Sequence, residues 1–255
     1  MRSESESPVY RRVLVKVSGE ALAGDRAFGI DHDMLLAISR EIRSVVALGV
    51  SVGIVIGGGN LFRGVSADKM DRINADYIGM LATMMNALAL QGAFAREQIE
   101  ARVQSALDIP SVIEPYVREH ALSYLDQLYT VIFAGGTGNP LFTTDSAASL
   151  RAIEIKADLM LKATKVDGVF DKDPVANPNA VKFEQISYDD VLGRHLGVMD
   201  ATAVILCREH SMPIRVFDIS VTGSLRRIVC GENLGTLINN VKACSGRDSI
   251  DVAPT

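Results

Sequence analysis

The sequence contains no tryptophan, and aromatic residues fill only 5% of its 255 positions. Hydrophobic residues reach 48%, so a sizeable core is available, but Val, Ile, Leu, Ala and Met must build it. Cysteine is scarce: Cys207, Cys230 and Cys244 form an odd, widely spaced set. Without a C-x-x-C or a Cys/His cluster, a disulfide framework and a structural zinc site are both disfavoured. Inert thiols in a reducing, cytoplasmic compartment are the expectation. An excess of positive charge is missing too. Lys and Arg number 26 against 31 Asp and Glu, a net charge of -5. That balance argues against a nucleic-acid binder with a broad basic face, although a few local cations and backbone N–H groups can still hold a small anion. Met1–Pro8 lacks the apolar run of a signal peptide. Tyr77–Ala95 carries no charge over nearly spanning length, yet it holds Gly79, Thr83, Asn86, Gln91 and Gly92 amid Ala and Met. No membrane span is expected there; a helix in the core or in a subunit interface fits better.

Familiar catalytic signatures are absent as well. There is no G-x-x-x-x-G-K-[ST], no G-x-G-x-x-G after the first strand and no G-x-S-x-G. These absences disfavour a P-loop, a dinucleotide fold and a serine nucleophile elbow. His32, His120, His195 and His210 lie far in sequence from every glycine loop and read as structural.

What is present is an alternation of strand and helix. Val13–Val17, Val52–Ile56, Val131–Ala134, Leu159–Ala163, Ile214–Phe217 and Thr236–Ile238 read as buried strands. Asp31 or Asp33 caps a helix with Leu35, Ile38, Ile42, Val45 and Val46 on one face, closed by Gly49. Further helices are expected from about Ala75 to Glu97, Asp145 to about Ile155, and Asp200 to His210. The rhythm implies an α/β fold with a mainly parallel sheet covered on both faces. A single domain over 9–240 is expected, with flexible polar ends at 1–8 and 241–255.

Three strands end in loops suited to anions, because glycine lets backbone N–H groups converge closely on a ligand. The first is Lys16-Val17-Ser18-Gly19-Glu20; its lysine could meet a phosphoryl group or be a surface residue near a turn. The second, Gly57-Gly58-Gly59-Asn60-Leu61-Phe62-Arg63-Gly64, adds the planar fork of Arg63. The third runs from Gly135 through Thr137, Gly138, Asn139, Pro140, Leu141, Phe142, Thr143 and Thr144 to Asp145. Asp145 could be a helix N-cap, a site residue or both.

At these residues the sequence resembles bacterial UMP kinases of the amino-acid kinase superfamily. The resemblance rests on Lys16–Leu22, Val55–Gly64, Thr137–Ala147 and Lys162–Phe170, in that order, and extends from about Val9 to Asn239. It implies a three-layer α/β/α sandwich, a homohexamer, ATP as donor with Mg²⁺, UMP as acceptor, and regulation by GTP as activator and UTP as inhibitor. By the same resemblance Lys16, Val17, Ser18, Gly19, Gly59 and Arg63 contact ATP, and Thr164, Phe170 and Asp173 flank its adenosine. Gly58, Asp76 and Thr137, Gly138, Asn139, Pro140, Leu141, Phe142, Thr143 and Thr144 form the UMP site, with Asp76 on the ribose hydroxyls. Asp145 organises the lysines, and Lys16, Arg63 and Asp145 are the expected catalytic residues. The metal is held mainly by nucleotide phosphates, with no direct protein ligand. Gly24, Asp25, Arg26, Ala27, Phe28 and Gly29 match the GTP-responsive segment.

Lys165 is a possible second cation or a structural residue at a strand end. The loop at Asp173-Pro174 and Asn177-Pro178 is either a lid over adenine or an ordinary surface turn. The competing readings are a kinase acting on carbamate, glutamate or acetylglutamate, a non-catalytic nucleotide sensor, and a redox protein using Cys207.

Overall fold

The computed structural model of the chain describes residues 7–62 and 70–240. Arg63, Gly64, Cys244, the stretch 1–6 and the expected C-terminal tail lie outside the described residues.

Among the described residues the apolar runs form a nine-stranded sheet. In chain order its strands are β1 (Arg12–Val17), β2 (Ser51–Ile56), β3 (Ala101–Ser105), β4 (Glu114–Pro115), β5 (Thr130–Ala134), β6 (Leu159–Thr164), β9 (Gln185–Ser187), β10 (Ile214–Asp218) and β11 (Thr236–Asn239). A small antiparallel pair, β7 (Val169–Phe170) and β8 (Lys182–Phe183), stands apart. The spatial order is β4-β3-β5-β2-β1-β6-β10-β11-β9. Every neighbouring pair is parallel except β10 with β11.

Both faces are covered. On one side Val13, Val15 and Val17 of β1 share a core with α2 (His32–Val46), α3 (Arg72–Arg96) and α8 (Ser224–Val229). On the other side Leu14 shares a core with α4 (Arg118–Asp126), α5 (Thr144–Glu154), α6 (Tyr188–Gly193) and α7 (Ala201–Glu209). This is the expected α/β/α sandwich, produced by strands whose alternate side chains are apolar on both faces. The short α1 (Gly19–Ala23) follows β1 directly.

Helix starts follow their caps. Asp31 caps α2, accepting from the N–H groups of Asp33 and Met34. Asp71 caps α3 by accepting from Asn74, so that helix begins three residues before the expected Ala75. By length and composition α3 could cross a membrane, yet 50% of its apolar window is buried inside the fold. Its buried face includes Met84, Ala87, Leu90 and Phe94.

Candidate active site

The sheet order β5-β2-β1-β6 makes neighbours of four strands whose carboxyl ends carry all three glycine loops and one further cation. In parallel sheets that edge is where ligands bind.

The cation is Lys162. β1 and β6 pair in parallel with Lys16 opposite Lys162. Side chains alternate along a strand, so these two point to the same face, toward α5. There the carboxylate of Asp145 meets both: Lys16 Nζ lies 2.8 Å from Oδ1 and Lys162 Nζ 2.7 Å from Oδ2. Lys162 also donates to the carbonyl of Val198. Burial pushes the Asp145 carboxyl up, but the two ammonium groups outweigh it and hold its pKa below the usual carboxylate range. Burial lowers the pKa of Lys162 below an ordinary lysine, assisted by Lys16 and opposed by Asp145. Two ammonium groups share one carboxylate in a largely desolvated place, with Asp200 as a further anion acting on Lys162; the ammonium groups suit an anionic ligand.

Asp145 is free to hold both lysines because it is not the helix cap. Thr143 caps α5, accepting from the N–H groups of Asp145 and Ser146. The N-cap alternative for Asp145 is thereby corrected, and the helix begins at Thr144. Thr143 in turn donates to Asp200, which also accepts from Ser146 Oγ at 3.0 Å and caps α7.

The glycine loops interlock. A Cβ on Gly19 would lie 2.5 Å from Gly59 N and 2.9 Å from Gly57 O. One on Gly58 would lie 2.7 Å from the Gly79 carbonyl of α3. Gly57 and Gly58 are therefore demanded by close backbone approach, whereas Gly59 faces only Glu20, at 3.7 Å. In the third loop Gly135 N donates to Thr83 of α3 at 2.8 Å, and Gly136 takes a positive φ with nothing nearer its missing Cβ than Met80, at 3.9 Å.

Two cavities open near this cluster, one lined by Thr144, the neighbour of Asp145, and the other by Lys162. One, of about 610 Å³, is lined by Glu20, Gly58, Gly59, Phe62, Arg72, Asp76, Thr137, Asn139, Phe142, Thr143 and Thr144, with further residues of α3 and Gly136. It gathers most of the expected acceptor residues. Gly138, Pro140 and Leu141 do not line it; Gly138 packs on Ala106, and Leu141 is exposed with a positive φ. Asp76 accepts from the Leu141 N–H at 2.8 Å and pairs with Arg72 at 3.0 Å. The other cavity, of about 540 Å³, brings Lys162 together with Thr164, Phe170 and Asp173, the expected donor side. Val17 is fully buried toward α2 and α3, so only its backbone faces the site. Ser18 caps α1. The segment Gly24–Gly29 is mostly exposed and is tied to the glycine loops through Gly29 N, which donates to Asn60 O at 2.9 Å.

Sequence reasoning missed Lys162, Arg194 and His195, all of which line the donor-side cavity. Lys162 stood inside a quoted motif without a role; strand parity with Lys16 is the signal that finds it. Lys165, the cation singled out instead, is exposed and donates to the Gly24 carbonyl at 3.3 Å. His195, read as structural, lines the donor-side cavity beside Arg194, because the turn after α6 returns to the sheet edge. Its φ of 52° is left-handed. Cys207 is buried, its thiol pushed up to about 11 by burial, which removes the redox reading.

Comparison with known proteins agrees with this fold. A UMP kinase from Bacillus anthracis superposes with a TM-score of 0.88 at 44% identity, covering 91% of this chain and 96% of that one. A UMP kinase from Ureaplasma parvum gives 0.85 at 34% identity, covering 90% and 99%. A uridylate kinase from Archaeoglobus fulgidus gives 0.68 at 28% identity, covering 89% and 99%. Residues 11–218, which span the lysine pair, Asp145 and both cavities, match the amino acid kinase family, and the chain belongs to that family.

Proposed function

We propose that the chain transfers the γ-phosphoryl group of ATP to UMP, giving ADP and UDP. The observation that carries this reading is the convergence of Lys16 and Lys162 on Asp145 near two cavities, one lined by donor-side and the other by acceptor-side residues. The bacterial relatives are UMP kinases, and the acceptor cavity is lined by Thr137, Asn139, Phe142, Thr143 and Thr144 of the run whose resemblance favours UMP over carbamate or acidic amino acids as acceptor.

An oxygen of the UMP α-phosphate forms the new bond to the γ-phosphorus as the bond to the β–γ bridging oxygen breaks, and ADP leaves with that oxygen. The second pKa of a phosphate monoester is about 6, so the nucleophile is already largely a dianion and needs no general base. Catalysis then rests on positioning and charge neutralisation. Lys16 and Lys162 are assigned to the oxygens of the transferring group, and Asp145 keeps both ammonium groups aimed. Ser18, Gly19 and Gly59 supply backbone N–H groups. Arg63, which directly follows the acceptor-cavity residue Phe62 in the chain, is assigned an assisting role. Thr164, Phe170 and Asp173 hold adenosine, and Asp76 takes the ribose hydroxyls by sharing oxygens now used by Arg72 and Leu141.

Mg²⁺ is assigned to the nucleotide phosphates, with no direct protein ligand. Among the described residues no group of three His, Cys, Asp or Glu could hold a metal, and the Asp145 oxygens are engaged by lysines. When bound to the ATP phosphates the ion would add charge neutralisation.

Gly24–Gly29 is assigned to GTP activation, and UTP to inhibition. A homohexamer is supported by Ile73, Tyr77, Leu81, Met85 and Leu88, an exposed apolar stripe at helical spacing on α3. Cytoplasmic residence and a single catalytic domain over 9–240 complete the reading.

The test is ADP release with ATP and Mg²⁺, comparing UMP, CMP and dUMP, with and without GTP. UMP-selective turnover is expected. No turnover with any nucleotide, but turnover with carbamate or an acidic amino acid, would replace UMP as the acceptor.

A further inference from the structure

Asn60 and Asn86 form a buried amide pair that the chemistry above does not use. Asn60 is 3% exposed and Asn86 0%. Each donates to the other: Asn60 Nδ2 to Asn86 Oδ1 at 3.1 Å, and Asn86 Nδ2 to Asn60 Oδ1 at 2.7 Å. The second N–H of each amide is also used. Asn60 donates to the Gly29 carbonyl at 2.9 Å, and Asn86 to the Gly57 carbonyl at 2.7 Å. All four side-chain N–H groups are therefore engaged, within a region where an unmade bond is costly. The Asn60 backbone adds a return bond, accepting from Gly29 N at 2.9 Å.

The pair sits where three loops meet. Asn60 Oδ1 occupies the space beside Gly19, where a Cβ would come within 2.6 Å of it. Gly57 begins the second glycine loop, whose Gly59 opens toward the acceptor cavity. Gly29 closes the exposed segment Gly24–Gly29. Asn86 lies on α3, the helix that also carries Asp76 and, through Thr83, pins Gly135. One face of α3 thus fastens the second and third glycine loops.

We infer that the Asn60–Asn86 pair is a positioning unit for phosphoryl transfer: it sets the spacing between Gly19 and Gly57–Gly59 and ties that spacing to the Gly24–Gly29 segment. The amides touch no reacting atom; they act through the backbone they hold. The inference rests on the phosphotransferase reading, and the two fail differently: absence of turnover in the unaltered protein defeats that reading, whereas unchanged variants of an active protein defeat this one.

The test uses the full chain with Asn60→Asp, Asn86→Ser and, as a control that weakens α3 elsewhere, Leu90→Ala. Asn60→Asp keeps the shape but turns a two-proton donor into an acceptor facing two oxygens. A loss of about tenfold in kcat/KM for ATP is expected in each Asn variant, the size of one unmade buried hydrogen bond. Leu90→Ala is expected to lower Tm while leaving both KM values within about twofold. Hydrogen exchange should rise at 57–61 and at 24–29 together in Asn86→Ser, although that change touches only the first. Asn variants that lose Tm but keep their kinetic constants, or exchange that rises at 57–61 alone, would overturn the inference. Failure of both Asn variants to fold, with Leu90→Ala folded, would make the pair a folding determinant and overturn its positioning role.

Discussion

Lys16 and Lys162 stand opposite each other on adjacent parallel strands, and each reaches one oxygen of Asp145, at 2.8 and 2.7 Å. The carboxylate does two things at once: it offsets repulsion between two buried ammonium groups and fixes where they point. All three side chains are less than one-sixth exposed, at 9%, 12% and 14% for Lys16, Lys162 and Asp145. Solvent screening is weak there, so the arrangement matters energetically as well as chemically.

Asp145→Asn keeps the shape but removes the charge that aims both lysines. A fall in kcat of about 10²–10³-fold is expected, comparable to losing one preorganised electrostatic contact or more. Steady-state kinetics with saturating ATP and UMP measures it. A variant within a few-fold of the unaltered protein would remove Asp145 from the mechanism.

Lys162→Met should lower kcat by about 10²-fold, with KM for UMP within about twofold, because the contact is assigned to the transferring group rather than to the bound acceptor. Lys165→Met should have little effect on kcat. Reversed outcomes would restore Lys165 as the second cation.

Acid stability follows from the depressed pKa of Asp145. A carboxylate whose folded pKa lies below its unfolded value contributes stability above the unfolded value of about 3.9, and that contribution is lost as pH falls through the folded one. Thermal unfolding followed downward from about pH 5 should therefore show a steeper Tm loss in the unaltered protein than in Asp145→Asn. Parallel curves would contradict the shift.

At the alkaline end the relevant group is Lys162. Its pKa is lowered by burial, so the active ammonium form is lost below the ordinary lysine value of about 10.4. The alkaline limb of kcat is expected below that value, and Lys162→Arg, which stays charged, should move it upward in whatever activity remains. A limb unmoved by the substitution would assign it to another group.

Much of the fold was legible because its strands are continuous apolar runs and its helices have clear caps. Val13–Val17, Val52–Ile56 and Leu159–Ala163 each fell within one residue of the observed strand ends. The edge strands β4 and β9, and β3 beside β4, were not legible. β3 reads Ala-Arg-Val-Gln-Ser, where Arg102 and Gln104 interrupt the apolar run, and β4 is only two residues long. At the site, glycine clusters announced the loops but not the reason for each glycine. Gly57 and Gly58 answer to backbone packing, which no local pattern reveals. Lys162 was hidden differently: its importance comes from register with Lys16, a relation between strands some 146 residues apart in the chain.

Thr143 joins the acceptor wall to the charge cluster. Its hydroxyl accepts from Asp145 N at 3.0 Å and Ser146 N at 3.3 Å while donating to Asp200. Thr143→Val keeps the volume but removes the cap, which is worth about 1 kcal/mol, and leaves Asp200 short of a donor. A Tm loss of about 2–4 °C per kcal/mol is expected for a chain of this size. The first turn of α5 carries Asp145, so kcat should fall by more than the folded fraction does. Thr143→Ser restores the hydroxyl and should recover both Tm and kcat. A Val variant with normal kcat would show that the start of α5 is held by packing alone, and that the aim of the two lysines does not depend on this hydroxyl.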